Sequence, residues 1–430
     1  MKKRKILLGL LLILLGIIFN YKVIVFLFFR EGPLLRKAVK LLISLADLGF
    51  ILTGSFLIAV RNKKVSFKEV RLFLFNTLVF FLLPYLCLEG LVVKLNIVHP
   101  PRFKERQRLF YEFLEPDRDL GYKIKPNLRN FKIEWLEGLT ATYETDELGF
   151  RNLGDKTKAP LAIVGDSVAF AVGINYDKAW FNLLSRKLTM PLANYAVGGY
   201  HPWQYNWLIR KFILNYPHRI LFYCIFANDL SNHHRIIKNS YRYYEYMGWS
   251  DYKSGYPWFK RTVAYTSLKK FDQTIARAFR YEKERARIKN GLYLYRRTGA
   301  EPNYLEKKTD LLTEHFLHEA ISLSQGHLQL IVILFPSKES VYREEYIKAF
   351  PDYGEEYIDN EEEGYERIVS FCQKKGLLVY DLRPGLRELR EKKVLFFSED
   401  PHLNEQGNVE VADLIGKKFR EWEAKGLIHR

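Results

Sequence analysis

The sequence predicts an α/β chain in which a membrane-spanning helical region precedes a domain built on one central parallel sheet with helices on both faces. Three observations carry that expectation. Apolar residues crowd the first hundred positions of a 430-residue chain that is 48% hydrophobic. From Ala159 onward, short apolar runs alternate with helical patterns, the signature of βαβ units. The first of those runs, Leu161–Val164, stops at Gly165-Asp166-Ser167, which puts a hydroxyl at the tip of a buried strand.

Three stretches are apolar enough to cross a bilayer at about 20 residues per crossing: Ile6 to Phe29, Leu41 to Val60 and Leu72 to Val93. Asp47 and Glu89 inside the last two are costly in lipid and belong at a helix contact or an interface. No small-residue cleavage site follows the first stretch, so it reads as a span and not as a signal peptide. Basic residues precede the first span ("MKKRK") and fill the loop Arg61 to Arg71, which places both on the cytoplasmic side. Three crossings leave everything after about Lys94 outside. The expected organisation is a membrane region at 1–98, a linker and short-strand preamble at 99–158, and the main domain at 159–430 with an insertion at 231–310.

Within the preamble, "GYKIKPN" (Gly121 to Asn127) and "TATYETDELGFRN" (Thr140 to Asn152) alternate in the manner of short strands, as in a hairpin. The main domain then supplies five strand-like runs, beginning at Leu161, Leu192, Ile220, Leu328 and Leu377. Helical patterns lie between them at Trp180 to Leu188 and Tyr205 to Leu214. Sites in such sheets form at the carboxyl ends of the strands, where Ser167 stands.

A serine hydroxyl is a weak nucleophile near neutral pH and needs a base and oxyanion donors. Candidates for each fall at other strand ends. The second run leads into "NYAVGGYHP", whose glycines let a backbone N–H approach a ligand. The third ends in "IFANDLSN", where the Asn228 amide can donate. Near the C-terminus, "SEDPHLNEQG" places His402 just after two acids, Glu399 and Asp400, either of which can orient the ring through Nδ1–H. The three cysteines, Cys87, Cys224 and Cys372, are too scattered for a disulfide framework or a metal cluster. Neither a cofactor nor a metal is expected.

Serine, glycine, asparagine and histidine in this order make the chain resemble the SGNH (GDSL-type) hydrolase superfamily over roughly Leu161 to Ile415. The entry "GYKIKPN … LGFRN … LAIVGDS" is similar to its membrane-anchored bacterial branch. The resemblance implies a flavodoxin-like three-layer sandwich and an acyl-serine mechanism. It implies Ser167 as nucleophile and His402 as base. The oxyanion hole would be the N–H groups of Ser167 and Gly199 with the side chain of Asn228; Asn194 sets the register that selects Gly199 over Gly198. Asp400, two residues before the histidine as in the anchored branch, is the preferred acid, and Glu399 is the alternative. Ala196 and Ala227 stand where the family often has glycine. Asp166 is expected to shape the serine turn.

The insertion from Ser231 to Asp310 carries 18 Lys and Arg against 8 Asp and Glu, together with 11 of the 28 tyrosines, in a chain of net charge +18. Leu268, Phe271, Ile275 and Phe279 share a helical face, with Gly291 as a stop. Such a segment suits an acidic glycan or anionic lipid head groups, or is an ordinary solvated insert. No zinc, RNA-binding or helix-turn-helix signature accompanies the charge, so nucleic acid is not the expected partner. The expectation is a multi-pass inner-membrane protein with its catalytic domain on the periplasmic side. It would be an esterase or O-acyltransferase for ester groups of cell-surface or secreted polysaccharide. A lipase or lysophospholipase and a non-catalytic polysaccharide-assembly protein are the alternatives.

Overall fold

The computed structural model describes residues 6–7, 9–14, 51–56, 58–60, 68, 112–134, 140–230, 285–296 and 312–428. The chain divides into two compact units, residues 1–107 with 250–280, and residues 108–249 with 281–430. In the first unit, helical backbone at residues 9–14 meets that at 51–56. A β-carbon on Gly9 would stand 2.7 Å from the Gly54 carbonyl oxygen, so the crossing is close because neither residue has a side chain. Most of the three apolar stretches, with Asp47, Cys87, Glu89 and the basic loops, lies outside the described residues. Among the described residues no helix is long and apolar enough to cross a membrane.

The second unit opens with two antiparallel hairpins. Strand β1 (Leu114–Asp117) pairs with β2 (Gly121–Ile124), and β3 (Phe131–Glu134) pairs with β4 (Thr140–Tyr143). The segment "GYKI" therefore pairs with the chain before it and not with "TATY". The reason lies in the turn, where the Asp117 carboxylate accepts from the Asp119 and Leu120 N–H groups at 2.9 Å and folds the chain back at once.

The central sheet is parallel throughout, with order β11-β10-β7-β5-β6. Its strands are β5 (Leu161–Val164), β6 (Leu192–Asn194), β7 (Ile220–Phe226), β10 (Gln329–Phe335) and β11 (Leu378–Asp381). This is the α/β fold with one central parallel sheet that the sequence predicts. All residues of β5 and β7 are buried, as unbroken apolar runs covered on both faces require. Adjacent side chains point to opposite faces: Phe222 meets Phe419 of helix α8 (Glu405–Ala424), and Tyr223 meets Tyr205 of helix α2 (Pro202–Lys211). Helix α1 (Trp180–Leu188) packs beside α8 and buries Trp180, Phe181, Leu184 and Leu188, one apolar stripe at helical spacing.

Helix α2 starts three residues earlier than its apolar pattern suggests. Pro202 pre-sets the first helical φ, and the Gln204 side chain accepts from the His201 N–H at 2.9 Å. Of the insertion, one hairpin is described, β8 (Arg285–Arg287) with β9 (Tyr293–Tyr295). Gly291 has positive φ as a stop residue would, but it turns this hairpin instead of ending a helix. The helical pattern at Leu268 to Phe279 lies outside the described residues.

Neighbours of β5 lie on opposite sides, β6 on one and β7 on the other. Connections leave in diverging directions at such a reversal, and the crevice beyond the carboxyl ends is where ligands bind in open α/β sheets. Ser167 follows β5 and Asn228 follows β7.

Candidate active site

The serine turn is set by its neighbours. A β-carbon at Gly165 would come within 2.4 Å of the Ala169 β-carbon, so only glycine lets the chain double back under the strand tip. Asp166 is buried, and its Oδ1 accepts from the Val168 N–H at 2.9 Å, closing the turn. Its Oδ2 accepts from the Asn228 amide at 3.0 Å and from the Ser167 hydroxyl at 3.3 Å. Asp166 thus gathers the hydroxyl of the first block and the amide of the third. Burial raises its carboxyl pKa, opposed by the Val168 hydrogen bond and by the charge of His402.

Asn228 sits on a short 3-10 turn, Ala227–Leu230, that continues β7. Asp229 in the same turn is fully buried. It accepts from the Phe226 N–H and the Tyr205 hydroxyl, with His201 Nδ1 at 3.6 Å. Burial pushes its carboxyl up to about 6.

The second block contributes a tight turn, Val197 to Tyr200, closed by the Tyr200 N–H on the Val197 carbonyl at 3.1 Å. It is tied to the serine turn by the Val197 N–H on the Gly165 carbonyl at 3.2 Å. A β-carbon on Gly198 would stand 3.8 Å from that of Ser167, so the turn lies directly against the serine. Asn194 serves structure: its side chain bonds the Ala196 N–H and the Ala169 carbonyl.

The fourth block forms a closed loop. Phe396 bridges Leu403, and the Phe397 N–H donates to the His402 carbonyl. Asp400 Oδ1 lies 2.5 Å from His402 Nδ1 and accepts from the His402 backbone N–H at 2.9 Å. A ring held through Nδ1–H keeps Nε2 as the atom that can take a proton. Burial pushes the Asp400 carboxyl up, but the His402 hydrogen bond, its charge and the Lys338 cation outweigh that and hold it below the ordinary value. Glu399 instead points to Arg285 of the β8–β9 hairpin, 3.9 Å away.

The structure therefore joins Asp400 to His402, and Ser167 and Asn228 to Asp166, and it sets Glu399 apart. The Ser167 hydroxyl is turned to Asp166, not to His402. Among the described residues, no group of three or more His, Cys, Asp or Glu is arranged to hold a metal ion. Cys224 and Cys372 are buried thiols.

Two residues that pattern reading passed over support the site. Arg151, fully buried, donates to the carbonyls of Phe170, Ala171 and Ile174 on the segment after Ser167. Lys338, also buried, donates to the carbonyls of Phe397 and Ser398 and, at 3.5 Å, Asp400. Their only sequence signals were a charged residue in "LGFRN" and another just beyond the tip of β10.

Residues 294–427 match the family model described as SGNH hydrolase-like domain, acetyltransferase AlgX. The chain is also similar to a solved member of the lipolytic protein G-D-S-L family from Veillonella parvula, with 15% identity and a TM-score of 0.36, over 60% of this chain and 97% of that one. Another similar structure is LAE5, an α/β hydrolase enzyme from the metagenome of Lake Arreo, with 14% identity and a TM-score of 0.34, over 64% of this chain and all of that one. No curated protein matches the sequence.

Proposed function

From the match of residues 294–427 to an SGNH hydrolase-like family model, we propose that the chain is a serine esterase or O-acyltransferase acting outside the cytoplasmic membrane. Its substrates would be ester groups, O-acetyl above all, on cell-surface or secreted polysaccharide. The observations that carry the chemistry are the pairing of His402 with Asp400 and a serine turn shared with Asn228 through Asp166. The extracytoplasmic side is supported by the basic segments flanking the apolar stretches of the N-terminus.

In this reading Ser167 rotates from Asp166 to His402 between staggered side-chain wells when substrate enters. Catalytic contacts commonly tighten only in the substrate complex. Oγ attacks the ester carbonyl carbon while its proton passes to His402 Nε2. The carbonyl oxygen becomes an oxyanion held by the N–H groups of Ser167 and Gly199 and by the Asn228 amide; each such donor is worth about a hundred- to thousandfold in rate. The imidazolium, stabilised by Asp400, returns the proton to the leaving alcohol as the carbon–oxygen bond breaks. Water then gives hydrolysis of the acyl-serine, and a sugar hydroxyl gives transfer, each surrendering its proton to His402, which passes it to Ser167 Oγ as the bond from Oγ to the acyl carbon breaks.

The test is turnover of an activated acetyl ester and labelling by a fluorophosphonate, with Ser167→Ala as control. The reading expects both in the wild type and neither in the variant. One observation favours a non-catalytic assembly role: the serine hydroxyl rests on Asp166. Absence of both turnover and label in folded protein would establish that alternative. Preference for lysophospholipid over acetylated glycan would move the substrate to the adjacent bilayer.

A further inference from the structure

The second-block turn has glycine at both central positions, Gly198 and Gly199. Turns of this size exist in two forms that differ by a flip of the central peptide. Side chains usually decide between them, but glycine tolerates both. Here the central peptide is the one whose N–H, on Gly199, is assigned to the oxyanion. Its direction must be set by something outside the turn.

Tyr122, from the preamble strand β2, supplies that anchor. Its hydroxyl donates to the Gly198 carbonyl at 2.6 Å. In a trans peptide the C=O and the following N–H point in opposite directions, so holding the Gly198 oxygen on the phenol turns the Gly199 N–H away from it. Gly199 has φ of +82°, and a β-carbon there would come within 2.6 Å of the same phenol oxygen. The phenol occupies the space a side chain at 199 would need. The Tyr122 ring is held by packing: it is 2% exposed and the Tyr200 ring stacks edge-on at 5.4 Å, while the Tyr200 hydroxyl donates to the backbone carbonyl of Tyr122 at 2.6 Å and does not meet the phenol. The Gln204 amide fixes the neighbouring Leu120 carbonyl at 2.9 Å.

We infer that Tyr122 is a positioning residue of the oxyanion hole: its hydroxyl, bound to the Gly198 carbonyl, selects the peptide orientation that presents the Gly199 N–H to the substrate. The inference rests on the proposed ester chemistry and gives the "GYKIKPN" preamble a role in it. The preamble lies outside residues 294–427, the part that matches the family model.

Tyr122→Phe in the full chain removes the hydroxyl and keeps the ring. Tyr200→Phe is the control, since it loosens the same strand without touching the Gly198 carbonyl. Expected for Tyr122→Phe is a fall in kcat on the order of ten- to a hundredfold, below the loss of a whole donor, with KM within about threefold. Binding of a boronic acid, whose tetrahedral adduct puts an oxygen in the oxyanion position, should weaken by the same factor as kcat. Tyr200→Phe should lose thermal stability while keeping kcat within about twofold. A crystal structure of Tyr122→Phe should show the Gly198–Gly199 peptide flipped or in two orientations. An unchanged peptide with unchanged kcat and boronate affinity overturns the inference, as does an equal kcat loss in both variants. If the wild type turns over no ester, the proposed function fails, and the peptide orientation in the variant still decides what Tyr122 does.

Discussion

Nζ of Lys338 donates to the Ser398 carbonyl at 2.7 Å from inside the loop that carries Asp400 and His402. With the Phe397 carbonyl at 2.8 Å, the ammonium ties two successive carbonyls of the loop together, the second of which also accepts from the Tyr293 N–H at 2.9 Å. Its charge also favours the ionised Asp400 carboxylate. Lys338→Met keeps the stem and removes both effects. We expect a stability loss of about 1–3 kcal/mol from the charged donor that the Phe397 and Ser398 carbonyls lose. Because the Asp400 carboxyl would rise, the acid limb of the kcat profile should move to higher pH. Thermal melts and a pH–rate profile read the two separately; a stability loss with no movement of the profile would make Lys338 a loop prop alone.

Arg151 plays the matching part on the nucleophile side. Its guanidinium, stacked 4.7 Å from the Tyr143 ring centre and 5.2 Å from that of Phe170, forks onto the carbonyls of the segment following Ser167. That segment includes Ala171 at φ of +58°, a conformation an L-residue adopts at a cost. Lysine cannot reproduce the planar fork. Arg151→Lys should therefore lose about 2–4 kcal/mol, the scale of one or two lost hydrogen bonds from a charged group, and lower labelling of Ser167 by fluorophosphonate. Urea unfolding and the labelling rate check this; wild-type values for both would show that the fork is dispensable.

What could be read from the chain is what apolar period and strand-end chemistry encode. The strands β5, β7 and β10 are long apolar runs buried on both faces, and the histidine loop announces itself by acids placed just before a ring. The hairpin β8–β9 carries no such signal, since its three-residue strands alternate arginine and tyrosine with small or apolar residues. Tyr122, Arg151 and Lys338 were illegible for a different reason. Each acts on a backbone carbonyl distant in sequence, and a carbonyl is present at every position, so no residue pattern marks the acceptor.

Glu361 offers a stability test away from the chemistry. It is buried, accepts from the Ser337 N–H and hydroxyl at 3.0 and 2.6 Å, and burial pushes its carboxyl up to about 7. The folded state thus holds the proton more tightly than the unfolded chain, whose value is near 4.5. Stability from this group is fully present below that value and is lost as pH rises through about 7. Glu361→Gln removes the charge that burial penalises. The variant should match the wild type near pH 5 and exceed it near pH 8, by on the order of 1–3 kcal/mol. Calorimetric melts at the two pH values decide; equal differences at both would mean that Glu361 does not titrate in this range.

The choice of acid is the last test and the most direct. Asp400 meets the His402 ring and its backbone N–H together, so one carboxylate fixes both the tautomer and the place of the imidazole. Glu399, 44% exposed on its side chain, faces Arg285. Asp400→Asn keeps the shape but offers an amide donor to Nδ1, which favours the wrong tautomer and leaves the imidazolium unsupported. By analogy with serine triads, kcat should fall by about a hundredfold or more, with KM little changed. Glu399→Gln should stay within about threefold on kcat, because it removes only an exposed charge near the hairpin. Steady-state kinetics on the two variants side by side would reverse the assignment if Glu399→Gln were the slower enzyme.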